Sequence, residues 1–145
     1  MALSWHTCHQ PTKIKIMKKK ILIAEDNDNI RLLLNEFLKS DYEVISFNDG
    51  SGVLNWLGNG NIPDMIISDI MMPKVNGWDL VNNLKLSLFY KNIPVLVLSS
   101  NEKSQERIRF LEAGVDEYMM KPFSPQELKA RINNIFKRYN YASLN

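Results

Sequence analysis

The sequence predicts an α/β domain: a parallel β-sheet with helices packed on both faces. Three observations carry that prediction. Five short apolar runs recur along the chain, and each is followed by a segment whose apolar residues repeat at helical spacing. The run Asp64-Met-Ile-Ile-Ser-Asp69 is apolar at consecutive positions, the pattern of a strand covered on both faces. Each run ends in polar residues, and the carboxyl ends of strands in open α/β sheets are where ligand sites form.

In chain order, Lys20-Ile-Leu-Ile-Ala24 is the first strand and runs into Glu25-Asp26-Asn27. Asp28 or Asn29 is expected to cap a helix in which Ile30, Leu33, Leu34, Phe37 and Leu38 form one face. Residues 42–47 form the second strand, Asn48-Asp-Gly50 a turn, and a brief helix turns Val53, Leu54 and Leu57 inward before Gly58-Asn-Gly60 ends it. The third strand closes on Asp69, and residues 73–77 are a loop. From Trp78 to about Leu88 a helix presents Val81, Leu84 and Leu88 on one face. Residues 93–98 are the fourth strand, leaving Ser99-Ser-Asn101 at its end. Residues 103–113 are helical, and Gly114 stands where a helix terminus favours a left-handed residue. Residues 115–120 are the fifth strand, followed by Lys121-Pro-Phe123. Ser124 then opens the last helix with Pro125 in its first turn and Glu127 completing a capping box; Leu128, Ile132, Ile135 and Phe136 are its stripe. No segment remains for a second domain, and no internal repeat appears.

At 145 residues, 45% apolar and 23% charged, the chain suits one globular domain. Its net charge of +2 is local: Lys13 and Lys15 are the only charged residues before Met17, and the rest is formally neutral. That argues against a nucleic-acid-binding surface. No apolar run approaches the length of a membrane span. Residues 1–16 show no defensible period and no signal-peptide core, and are expected to be a tag remnant or loose arm. The domain proper is placed at 17–139 and a short tail at 140–145. The single cysteine, Cys8, cannot form a disulfide within the chain, which fits a cytoplasmic setting. His6 and His9 flank it, but a fourth ligand and a scaffold are missing for a metal site.

Because all strands of a parallel sheet open on one side, Glu25, Asp26, Asp69, Ser99 and Lys121 should meet there. Taken singly, an Asp or Ser after a strand is usually a turn former or cap. Together they have a definite chemistry. Clustered carboxylates repel unless a cation intervenes, and hard oxygen ligands suit Mg²⁺, which also binds phosphoryl oxygens. A metal-neutralised Asp can attack phosphorus to give an aspartyl phosphate. Lys121 is placed to act on the phosphoryl oxygens as a point charge and Ser99 as a hydroxyl donor.

Four stretches carry a resemblance: Ile-Leu-Ile-Ala-Glu25-Asp26-Asn, Ile-Ile-Ser-Asp69-Ile-Met-Met-Pro-Lys-Val-Asn-Gly77, Pro-Val-Leu-Val-Leu-Ser99-Ser, and Gly-Val-Asp-Glu-Tyr118-Met-Met-Lys121-Pro-Phe-Ser. Asp26, Asp69, Ser99 and Lys121 follow one another at intervals of 43, 30 and 22 residues. From residue 18 to about 138 the chain resembles a response-regulator receiver domain of two-component signalling. The resemblance implies a flavodoxin-like (βα)5 fold with strand order 2-1-3-4-5. It implies Asp69 as phosphoacceptor from a histidine kinase or histidine phosphotransfer protein. Asp26 would bind Mg²⁺, Glu25 would act through a water, and the backbone carbonyl of Met71 would complete the protein ligands. Ser99 and Tyr118 would be the switch pair, Lys121 the phosphate-binding lysine, and the bond to Pro122 cis. Met71 and Asn101 would occupy the positions that set the rate of hydrolysis.

On this reading the chain is no enzyme beyond its own phosphotransfer and autodephosphorylation. Phosphorylation draws Ser99 toward the phosphoryl group, Tyr118 turns into the vacated space, and the surface of the fourth helix, fifth strand and fifth helix changes for a partner or a second copy. Three rivals fit less well. A haloacid-dehalogenase-like phosphatase requires an acid where Met71 stands. A flavodoxin-like cofactor binder would meet repulsion from Glu25 and Asp26. A degenerate receiver acting as a constitutive interaction module would not need the acidic site.

Overall fold

The computed structural model describes residues 17–144, with side chains to residue 140. The expected arm at 1–16, with Cys8, His6 and His9, therefore lies outside the described residues. Five strands, β1 (Lys20–Ala24), β2 (Glu43–Phe47), β3 (Met65–Asp69), β4 (Val95–Ser99) and β5 (Glu117–Met120), alternate with five helices. These are α1 (Asp28–Leu38), α2 (Gly50–Gly58), α3 (Gly77–Leu86), α4 (Ser104–Glu112) and α5 (Pro125–Leu144). All strand pairs are parallel, in the order β2-β1-β3-β4-β5. The register sets Ala24 beside Ser68, Asp69 beside Leu98, and Ser99 beside Met120, so the carboxyl ends of four strands lie nearly level.

Successive side chains of a strand point to opposite faces, so a sheet covered on both sides needs apolar residues at every position. On one face Leu22, Ile66, Val95, Val97 and Tyr118 pack with Val53, Leu57, Leu80, Val81, Leu84 and Phe110 of α2, α3 and α4. On the other, Ile21, Ile23, Met65, Ile67, Leu96 and Leu98 pack with Leu34 and Leu38 of α1 and with the full expected stripe of α5. All of β3 is buried, Asp69 included.

Several local details differ from the sequence reading. The cap of α1 is Asn27, whose side chain accepts from Ile30 N at 3.0 Å, because Asp28 is already inside the first turn and paired with Arg31. Leu33 is 53% exposed, not on the core face. Asp49 caps α2 by accepting from Ser51 N and Gly52 N. The α3 helix ends at Leu86, and Leu88 is 82% exposed in the connection that follows. Ser87 turns extended there, and its hydroxyl accepts from Phe89 N at 3.2 Å and Tyr90 N at 3.3 Å, a local alternative to helical bonding. Ser124 accepts from Glu127 N at 3.4 Å, but the Glu127 carboxylate pairs with Arg131, so only half of the capping box forms. Gly114 has φ 104° after α4, as expected. The α5 helix continues to Leu144, through most of the expected tail at 140–145.

Candidate functional site

Backbone pairing past the strand ends holds the polar groups in place. Glu25 N donates to Phe47 O at 3.0 Å, and Lys121 N donates to Ser99 O at 2.7 Å, so each continues its ladder by one residue. Arg31 Nη1 donates to Glu25 O at 2.8 Å and fixes the same turn from α1. Four of the five residues expected to converge at this edge, Glu25, Asp26, Asp69 and Lys121, line one cleft there, whereas Ser99 ends β4 beside Lys121 and Ser100 takes its place in the lining. Glu25, Asp26 and Asp69 form a cluster with one carboxylate oxygen of each within 4.8 Å of the others.

Lys121 Nζ donates to Glu25 Oε1 at 2.9 Å and Oε2 at 3.1 Å, and lies 3.2 Å from Asp69 Oδ1. Asp69 Oδ1 also accepts from Ile70 N at 2.8 Å. One ammonium is therefore shared between two buried carboxylates, while Asp26 stands exposed at the rim. Burial pushes the Glu25 carboxyl up to about 7; Lys121 opposes the rise and Asp69 adds to it. Loss of water and then the neighbouring Asp69 raise the Asp26 carboxyl as well. An all-oxygen donor set with this excess of negative charge fits a hard divalent cation.

The cluster forms the floor of an open cleft of about 620 Å³. Ile30, Leu33, Met71 and Phe123 wall it, which explains why Leu33 faces outward. The Met71 side chain is 76% exposed at the mouth. The bond between Lys121 and Pro122 is cis, as expected.

The remaining expected residues are arranged less simply. Ser99 is buried, and its hydroxyl accepts from Asn101 N at 2.9 Å. Tyr118 is already inside: it is 7% exposed and its ring lies 5.9 Å from that of Phe110, between centroids. The anticipated inward turn thus has no outward starting point in this structure. Among the described residues the buried Tyr118 hydroxyl has no hydrogen-bond partner. Burial raises its phenol pKa, and the nearby Ser99 hydroxyl offsets part of the rise. The Asn101 carboxamide does not line the cleft: Nδ2 donates to Glu106 and Oδ1 accepts from Lys103 N at 3.0 Å.

Sequence reasoning missed Gly77. A Cβ there would stand 2.4 Å from the carbonyl oxygen of Asp69, so glycine lets the start of α3 press against the backbone of the site. It also missed Gly50, whose N–H donates to Val75 O at 3.0 Å and ties α2 to the loop after β3. Both glycines were legible as turn residues; the neighbours they touch are far away in the chain or on another element.

These features place the chain in a class of single-sheet α/β domains with an acidic cluster at the strand ends. The family model for the response regulator receiver domain matches residues 21–133, and the chain belongs to that family. Among curated relatives, a probable transcriptional regulator ycf27 of Guillardia theta is 38% identical over 127 residues, 87% of this chain and 48% of the relative. The chain thus spans about half the length of that relative. A solved structure of a putative response regulator from Chloroflexus aurantiacus superposes with a TM-score of 0.76 at 32% identity, covering 81% of this chain and 97% of that one. The Mn²⁺-bound form of response regulator Rcp1 is similar with a TM-score of 0.70 at 28% identity, covering 81% and 91%.

Proposed function

We propose that Asp69 is the phosphoacceptor of this receiver domain, taking its phosphoryl group from a phosphohistidine of a histidine kinase or a histidine phosphotransfer protein. The observation that carries this reading is the sharing of Lys121 Nζ between Glu25 and Asp69, beside the three-carboxylate cluster and open to a cleft. An Asp69 carboxylate oxygen attacks phosphorus, the phosphorus–nitrogen bond breaks, and the imidazole leaves with its electron pair. Lys121 then holds the phosphoryl oxygens, and the Ser99 hydroxyl donates to one of them. Glu25, Asp26, Asp69 and the Met71 carbonyl are the residues to hold Mg²⁺, which supplies charge neutralisation as the phosphoryl group approaches.

Lys121 has to give up Glu25 to serve the phosphoryl group, and a cation held by the cluster would supply the positive charge that Glu25 then lacks. Movement of Ser99 breaks its contact with Asn101 N and brings space beside the already buried Tyr118, altering the surface of α4, β5 and α5. That surface is read by a partner or a second copy. The chain acts as a signalling module in the cytoplasm, with autodephosphorylation its only turnover; Met71 offers no general acid for phosphatase chemistry.

The test is incubation with Mg²⁺ and acetyl phosphate followed by intact-mass measurement. Wild-type protein should gain one phosphoryl group and Asp69→Asn none. Equal behaviour of the two proteins would falsify the assignment and favour a constitutive interaction module.

A further inference from the structure

Three hydrogen bonds fold the segment after β4 back onto α4. Asn101 N donates to Ser99 Oγ at 2.9 Å, Asn101 Oδ1 accepts from Lys103 N at 3.0 Å, and Asn101 Nδ2 donates to Glu106 Oε2. The last of these is unusual for its position. Glu106 is the third residue of α4, where an acidic side chain normally reaches back to the backbone N–H of the cap residue. That residue is Lys103, which provides no side-chain cap, and its N–H is already taken by Asn101. Glu106 therefore grips the Asn101 carboxamide instead. It is half-buried while both chain neighbours on each side are exposed, as a held side chain should be.

We propose that Glu106 is a positioning residue that keeps the Asn101 carboxamide out of the acidic cleft and thereby lengthens the life of the aspartyl phosphate. The inference rests on the reading of Asp69 as phosphoacceptor. In hydrolysis a water oxygen bonds to phosphorus, the bond from phosphorus to the Asp69 oxygen breaks, and its electron pair returns to the carboxylate. Phosphate leaves with one of the water's protons, and the other passes to solvent. A carboxamide oxygen that accepts a hydrogen bond from that water aligns it for attack. With both ends of the amide engaged on the α4 side, Asn101 cannot do so. Glu106 also lies within electrostatic reach of the Tyr118 phenol, and Asn101 N is bonded to Ser99, so the tether sits against the switch pair.

The experiment compares wild type, Glu106→Ala, Glu106→Gln, Asn101→Ala and the double variant Glu106→Ala/Asn101→Ala. Each is phosphorylated with acetyl phosphate and Mg²⁺, freed of donor, and followed by intact mass, with thermal unfolding as the folding control. Glu106→Ala should lose its phosphoryl group about fivefold faster, the worth of one oriented hydrogen bond. Glu106→Gln, whose amide oxygen still accepts from Asn101, should restore the wild-type rate, and the double variant should match Asn101→Ala. An unchanged rate in Glu106→Ala overturns the proposal. So does an acceleration that persists without Asn101, which would mean a loosened loop. A wild-type protein that takes no label overturns the phosphoacceptor reading itself, together with this one.

Discussion

Lys121 carries two tasks at once, and the electrostatics of the site follow from that. Its ammonium lies 2.9 Å from Glu25 and 3.2 Å from Asp69, both buried carboxylates. Lys121→Met removes the charge that would stabilise the phosphoryl group in transfer and should slow labelling by acetyl phosphate by on the order of 10²-fold, measured as initial rate by intact mass. Glu25 sets a pH dependence. Its carboxyl is raised from 4.5 to about 7, chiefly by burial, so near neutrality a proton would compete with a cation bound at the cluster. The sign follows: apparent Mg²⁺ affinity should rise about tenfold per pH unit as pH approaches 7, then level off. Titration of the fluorescence of Trp78 and its fellow tryptophans at several pH values measures it, and Glu25→Gln should flatten the curve. The same shift makes the metal-free fold favour protonated Glu25. This group therefore destabilises the metal-free fold progressively as pH rises from 4.5 through 7, and saturating Mg²⁺ should reverse the loss in Tm.

At the scale of elements, the loop between β3 and α3 is gripped by close contacts that only glycine permits. Gly77→Ala places a Cβ 2.4 Å from the Asp69 carbonyl, and the obstructing atoms are backbone that cannot swing aside. Overpacking of that kind costs about 1–3 kcal/mol, visible in denaturant unfolding, and labelling of Asp69 should fall with it because its backbone must shift. The α3 helix offers a paired test of where its buried face lies. Leu84 is fully buried while Leu88 is 82% exposed beyond the helix end. Leu84→Ala should cost about 2–5 kcal/mol, whereas Leu88→Ala should stay within about 0.5 kcal/mol of wild type. Helical spacing alone put both on one face; the hydroxyl of Ser87, bonded to Phe89 and Tyr90, ends the helix before Leu88 is reached.

Across the whole molecule, the sheet and the acidic edge were legible because they follow from local rules. Consecutive apolar residues in β3 and β4 announce strands covered on both faces, and parallel strands deliver their last residues to the same side. Glu25, Asp26, Asp69 and Lys121 could therefore be placed together from the chain alone. What a side chain does once it arrives depends on neighbours distant in sequence, and pattern does not encode those. The chain by itself determined the fold class, the strand ends that meet and the residues that make the site acidic, since periodicity and parallel topology act position by position. Only the tertiary structure decided that Lys121 bridges Glu25 and Asp69, that Tyr118 already lies inside, that Leu33 walls the cleft and that Glu106 holds Asn101. Each of those is a choice among several partners within reach, settled by packing and by which charges are deprived of water.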